Sequence, residues 1–307
     1  MQLLKKKSWL VLAVLLVMLI GTVPFSAGAA SSVPVIKTPK QYQIYNRNDA
    51  VNITWSAPSG TVKNYVISVR HLSMFTEKPN RLIVNQVSLS ASTKSYKLSR
   101  LAVDAGSNYR ISVCAVLTDG SKKWSTETYF CSSIFRKGTG SHYPYSFKIS
   151  ELLEDETKNA IYYSCRPWNN ANPDSSITEM VNTFPFSVTT PVTALNNNDG
   201  VNSVFPRKLT TEHPIMGTWT RIDDNTFEGV ETDIMINKYV KWSNGVTSGC
   251  FEVQNVMTHE MGHACGLPDI YQSYAKEWTM YGDSAVCETK KKTIESNDKA
   301  MLNEIMR

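Results

Sequence analysis

The stretch Thr258-His259-Glu260-Met261-Gly262-His263-Ala264-Cys265-Gly266-Leu267-Pro268-Asp269 decides how the second half of this chain is read. Two histidines four residues apart stand one above the other on a helix face, so His259 and His263 can turn two imidazoles toward one ion. Glu260 then projects from the same helix beside that ion, where a carboxylate can act as a base. Val253, Met257, Met261 and Ala264 fall together on another side of the helical wheel, which gives the helix an apolar face to bury. Gly266 lets the chain leave the helix with positive φ, a conformation that penalises a side chain. Asp269 arrives three residues later and can return to the ion. The chain has five histidines, at 71, 142, 213, 259 and 263, and none follows His263. A catalytic zinc needs three protein ligands and one open position, and Asp269 can supply the third.

The stretch from His259 to Asp269 resembles the long zinc signature of the metzincin peptidases. Downstream, Trp278-Thr279-Met280-Tyr281-Gly282 resembles their Met-turn, a tight turn that packs a methionine beneath the metal. Glu288 to Lys292 and Thr232 to Asn237 are similar to bacterial matrixin-like members, and Gly-Leu-Pro-Asp-x-Tyr is similar to the snapalysin group. The resemblance implies that His259, His263 and Asp269 hold zinc, that Glu260 is the general base, and that Met280 is the turn methionine. It also implies that the strand around Thr232–Asn237 lines the substrate cleft. Two features depart from the family. The third histidine is absent, and no Pro-Arg-Cys-Gly-type switch is present to cap the zinc. A thermolysin-like alternative would recruit Glu277 or Glu288 as the third ligand, but neither sits in the helical motif that arrangement uses.

Outward from the motif, the reading assigns an α+β zincin-like domain to 146–307. Ala160–Ser164, Val204, Thr218–Ile222 and Glu231–Ile236 are expected as strands. Helices are expected over Ser175–Phe184, over Phe251–Cys265 and from Ser296 to Met306. Asn196 to Gly200 is a turn. Asp223, Asp224, Asn225 and Glu228 could offer oxygens to calcium, or form a solvated turn.

The first half has a different pattern. Val51, Ile53 and Trp55 alternate with polar residues, Pro58-Ser59-Gly60 makes a turn, and Tyr65–Val69, Tyr96–Leu98 and Tyr109–Val113 follow as short strands. Strands at this spacing predict a β-sandwich over 33–133. The Trp55 strand and the run Leu101…Gly106…Tyr109-x-Ile111-x-Val113-x-Ala115 resemble a fibronectin type III module, or another immunoglobulin-like sandwich. The resemblance implies that Tyr109 makes a corner hydrogen bond. Residues 134–145, with Lys137-Gly138-Thr139-Gly140-Ser141, are expected to be a linker.

Lys5-Lys6-Lys7, an apolar run from Trp9 to Ile20, and Ala27-Gly28-Ala29 form a signal peptide over 1–29, too short in its apolar run to span a bilayer comfortably. Removing its three lysines takes the net charge from +5 to +2, and no basic run is interleaved with aromatics, so no nucleic-acid partner is expected. The six cysteines, at 114, 131, 165, 250, 265 and 287, are even in number in an exported chain, so disulfides within each half are expected, with the pairing among the last four left open. The expectation is a secreted, extracellular zinc endopeptidase of bacterial origin, acting as a monomer on protein or peptide substrates. Cell-surface or matrix ligands are candidates for the sandwich. The alternative is an adhesive protein that works through the sandwich and carries a remnant zinc domain; a zinc hydrolase of other substrates is a third reading.

Overall fold

The computed structural model describes residues 31–72, 80–136, 146–171, 199–209, 211 and 214–306. The expected signal peptide, the expected helix at 175–184, most of the expected linker, and His142 and His213 lie outside these residues.

The first half forms a sandwich because its strands alternate apolar and polar residues. Strands β1 (Val35–Thr38), β3 (Val51–Ser56) and β6 (Ser95–Leu98) make one sheet in the order β1-β3-β6. Strands β2 (Gln43–Tyr45), β4 (Val62–Leu72), β5 (Arg81–Ser90), β7 (Asn108–Leu117), β8 (Lys122–Trp124) and β9 (Thr128–Ser132) make the other, in the order β2-β9-β7-β4-β5 with β8 on β7. Val51, Ile53 and Trp55 share a buried apolar core with Tyr65, Ile67, Val69, Ile111 and Val113. The Trp55 and Tyr65 rings meet edge-on at 5.5 Å. Tyr109 is fully buried, and its Oη accepts a hydrogen bond from the Asp104 N–H at 2.6 Å, the corner expected of it.

Among the described residues, the second half holds a mixed sheet and three α-helices. Strands β10 (Lys148–Ile149), β11 (Ser203–Arg207), β12 (Met216–Ile222) and β13 (Gly229–Asn237) lie in the order β10-β11-β13-β12. The first three run parallel, and β12 is antiparallel to β13 at the edge. β13 is buried along almost its whole length, as a strand covered on both faces must be. Strand β14 (Trp242–Ser243) pairs with β15 (Phe251–Glu252), which leads directly into the motif helix.

The helices are α1 (Asp155–Ala171), α2 (Val253–Ala264) and α3 (Ser296–Ile305). Helix α1 overturns the expected strand at Ala160–Ser164. Its Ile161, Ser164, Cys165 and Trp168 recur at helical spacing and are buried, and Asp155 and Glu156 complement the dipole in its first turn. The aromatic pair Tyr162-Tyr163 gave the false strand signal; Tyr163 faces outward. Helix α3 is capped by Glu295, in a reciprocal capping box with Asp298.

The two halves share one core. Ile44 and Cys131 of the sandwich belong to the same buried cluster as Trp278, Met280, Met301 and Ile305. The segment expected to be a linker begins as part of this packing. Phe135 is buried, the Ile134 N–H donates to Gly266 O at 2.8 Å, and Arg136 pairs with Asp49 at 3.2 Å. The polar, glycine-bearing composition that predicted a linker belongs to 137–145, after these apolar residues.

The expected disulfides are absent, since all six cysteines are free thiols. Cys131 pairs opposite Asn108, six residues along β7 from Cys114, so the two first-half cysteines lie roughly 20 Å apart. Cys114, Cys131, Cys165 and Cys265 are buried and pack as small apolar side chains. Burial pushes the thiols of Cys131 and Cys165 up to about 12. Cys250 and Cys287 have adjacent main chains, but their thiols are turned to the carbonyls of Ser248 and Thr247.

Candidate metal centre

Helix α2 is the platform. Its N-terminus is capped by Glu252, whose carboxylate accepts from the Asn255 N–H at 2.6 Å and pairs with Lys292 at 2.7 Å. Its apolar face, with Val253, Met257, Met261 and Ala264, is buried in the shared core, as the wheel predicts. Gly266 ends it at φ 91°. The Leu267 N–H reaches back to Gly262 O at 3.0 Å, which turns the following chain toward the histidines.

The structure brings His259, His263 and Asp269 together, with one ligand atom from each within 4.8 Å of the others. Asp269 Oδ1 lies 3.1 Å from His259 Nε2 and 3.4 Å from His263 Nε2. A tetrahedral zinc with bonds near ~2.0–2.1 Å separates its donors by roughly 3.4 Å, so the spacing fits. Both rings are oriented from behind. His259 Nδ1 is 2.7 Å from Thr279 O and His263 Nδ1 is 2.8 Å from Leu267 O. A carbonyl only accepts, so each Nδ1 carries the proton and each Nε2 presents a lone pair in the neutral ring. Asp269 Oδ1 is buried and has no hydrogen-bond donor. An orphaned carboxylate oxygen facing two imidazole lone pairs is a set that a divalent cation satisfies.

A proton and a cation compete for this set, because ligation needs the neutral imidazole. Burial alone would raise the Asp269 carboxyl, but the His263 charge and the two imidazole contacts outweigh it and hold the group well below the ordinary carboxylate range. His263 moves the opposite way. Burial works against its charged form, yet the Asp269 carboxylate lifts it to about 9.

Glu260 is almost fully buried beside the histidines. Its Oε2 accepts from Thr218 Oγ1 at 2.7 Å, so a strand residue orients the carboxylate. Met280 is fully buried against Gly262, where an added Cβ would come within 2.2 Å of its sulfur. The main-chain N–H groups of Thr279 and Met280 are both held by the buried Asp298 carboxylate. The site opens into a cleft of about 810 Å³, bounded by Pro214–Trp219 on one side and by Tyr271 and Gly282–Ser284 on the other.

The cleft corrects one expectation. The strand along it is the edge strand β12, not Thr232–Asn237, which lies one position further into the sheet. Sequence reasoning also gave no role to Thr218 or to Tyr271, whose hydroxyl donates to Asp269 Oδ2 at 3.3 Å. Tyr271 sits two residues from Asp269 within the quoted motif, whereas nothing local marks Thr218. Glu277 is exposed and pairs with Lys290, and Glu288 accepts from Asn255 Nδ2, so neither joins the histidines. Asp223 Oδ1 accepts from the N–H groups of Asn225 and Thr226, so that carboxylate is engaged in its own turn.

The comparisons with known proteins bear on the first half. Residues 37–130 match the family model of the fibronectin type III domain. Residues 37–130 are a fibronectin type III domain. Fibronectin(III)-like modules of CbhA from Clostridium thermocellum are similar at 20% identity, over 33% of this chain and 97% of theirs, with a TM-score of 0.25. The third fibronectin III domain of human KIAA0343 protein is similar at 15% identity, over 39% of this chain and 98% of its own, with a TM-score of 0.26. No curated protein matches the chain. The sandwich built on the fibronectin type III domain packs Ile44 of β2 and Cys131 of β9 into the core that also holds Met280.

Proposed function

We propose that the chain is an exported zinc-dependent endopeptidase, with a metzincin-like domain following the fibronectin type III domain. The convergence of His259 Nε2, His263 Nε2 and the donorless Asp269 Oδ1 carries this reading, with Glu260 buried beside them in an open cleft. These residues would hold the ion, and zinc bound there supplies Lewis acidity that acidifies water and polarises a peptide carbonyl. Glu260 takes the proton of the attacking water and delivers it to the leaving amine. Thr218 holds one carboxylate oxygen, which leaves the other to accept that proton. Among the described strands β12 stands at the border of its sheet, the position at which an extended peptide can add as a further strand, which supports a protein or peptide substrate.

The test is cleavage of casein or gelatin by Ala30–Arg307, run beside Glu260→Ala, with zinc content determined on both. The expected result is zinc on both chains and turnover lower by about 10²–10⁴-fold in the variant. Zinc on both with cleavage by neither would favour the adhesive reading, in which the fibronectin type III domain carries the function. Absence of zinc from the parent chain would sink the metal assignment.

A further inference from the structure

The loop that delivers Asp269 is held from two sides. Within the second half, the Leu267 carbonyl accepts from His263 Nδ1. The other two holds come from the end of the sandwich. The Gly266 carbonyl accepts from the Ile134 N–H at 2.8 Å, and the Asp269 carbonyl accepts from Asn108 Nδ2 at 2.8 Å. Asn108 is the first residue of β7, it is 3% exposed, and 161 residues separate it from its acceptor. Phe135 lies under the same loop, 3.4 Å from where a Cβ on Gly266 would stand. A buried amide on a central strand is a rigid donor, since the sheet fixes its backbone and burial fixes its rotamer.

We infer that the fibronectin type III domain is a structural part of the metal centre, and that Asn108 is a positioning residue that sets where Asp269 meets the two histidines. The sandwich therefore does not act as a detachable binding module. Its β7 terminus supplies an outer hydrogen bond to a ligand residue, the kind of contact whose loss typically weakens metal binding by about 10–100-fold. The zinc half of this inference rests on the function proposed above. The hold on the loop does not.

The experiment compares the full chain with Asn108→Leu, which keeps the size and removes the donor, and Asn108→Asp, which turns an acceptor toward the carbonyl. Tyr109→Phe is the control, because it weakens the sandwich at the neighbouring residue without touching the loop. Two quantities are read: the zinc dissociation constant by chelator competition, and amide hydrogen exchange at Leu267, Asp269 and Ile270 in metal-free chain. The expected outcome is a dissociation constant raised about 10–100-fold in both Asn108 variants, with faster exchange at the loop, and parent values in Tyr109→Phe. Parent-like exchange and affinity in Asn108→Leu would overturn the inference, as would an equal loss in Tyr109→Phe. If Asn108→Leu fails to fold, Asn108→Ser, too short to reach the carbonyl, gives the same reading. Should the parent bind no zinc while exchange still quickens in the variants, the zinc reading falls and the clamp stands.

Discussion

A single hydrogen atom's worth of space matters at Gly262. In an exposed helix, glycine to alanine is favourable by about 1 kcal/mol. Here the new Cβ would lie 2.2 Å from Met280 Sδ and 2.8 Å from Trp168 Cζ2. The sulfur can swing away, but the indole is pinned by its N–H to Thr258 O at 2.7 Å. Packing therefore reverses the propensity, and Gly262→Ala should destabilise by about 1–3 kcal/mol. Urea unfolding measures this, and a variant as stable as the parent would mean that the indole moves freely. His259 and His263 illustrate the same scale differently. Their spacing is a local property of a helix, but the tautomer of each ring is set by a carbonyl elsewhere, at Thr279 and Leu267.

Strand β13 carries its own electrostatic cost. Asp233 is 3% exposed, and burial first, then the charges of Glu231 and Asp199, push its carboxyl up to about 6 against the pull of Ser203. In the unfolded chain an aspartate releases its proton near pH 4. Between about pH 4 and 6 the folded chain thus holds more protons than the unfolded one, and stability is lost as pH rises through that window. Asp233→Asn, which keeps an acceptor for the Ser203 N–H, should gain melting temperature relative to the parent from pH 4 to pH 7. Parallel melting curves across that range would show that the carboxylate is relieved in solution. At the level of helices, α2 is stabilised from outside its own span. Glu252 caps it, Lys292 neutralises that cap, and Asn255 ties it to Glu288 and to the Lys291 N–H.

Among the described residues, the sandwich and the second half share one core, because sandwich residues enter it. Phe135 lies at the junction, against Gly229 and Gly266. Phe135→Ala removes a buried ring and should cost about 3–5 kcal/mol. Calorimetry of the parent is expected to give one transition, and the variant should separate the sandwich from the rest. Two transitions in the parent would mean that the junction contributes little. Lys291 shows how far such ties run. It is fully buried, and its ammonium donates to Asp283 O at 2.8 Å and Ser284 Oγ at 2.9 Å, fixing the far wall of the cleft.

The sequence by itself determined the local chemistry: two imidazoles one helical turn apart, a glycine with positive φ after them, an aspartate in reach, and alternating strands that close into a sandwich. These are legible because helix period, strand period and backbone sterics act over a few residues. Tertiary structure decided between two local signals at Ala160–Ser164, since burial of Ile161 and Trp168 favours their helical spacing over a short aromatic run. It decided that β12 rather than β13 borders the cleft, since strand order depends on pairing between distant segments. It also decided that Thr218 meets Glu260 and that Asn108 meets Asp269, contacts spanning 42 and 161 residues of chain. It left the cysteines unpaired, because an even count says nothing about where the thiols come to rest.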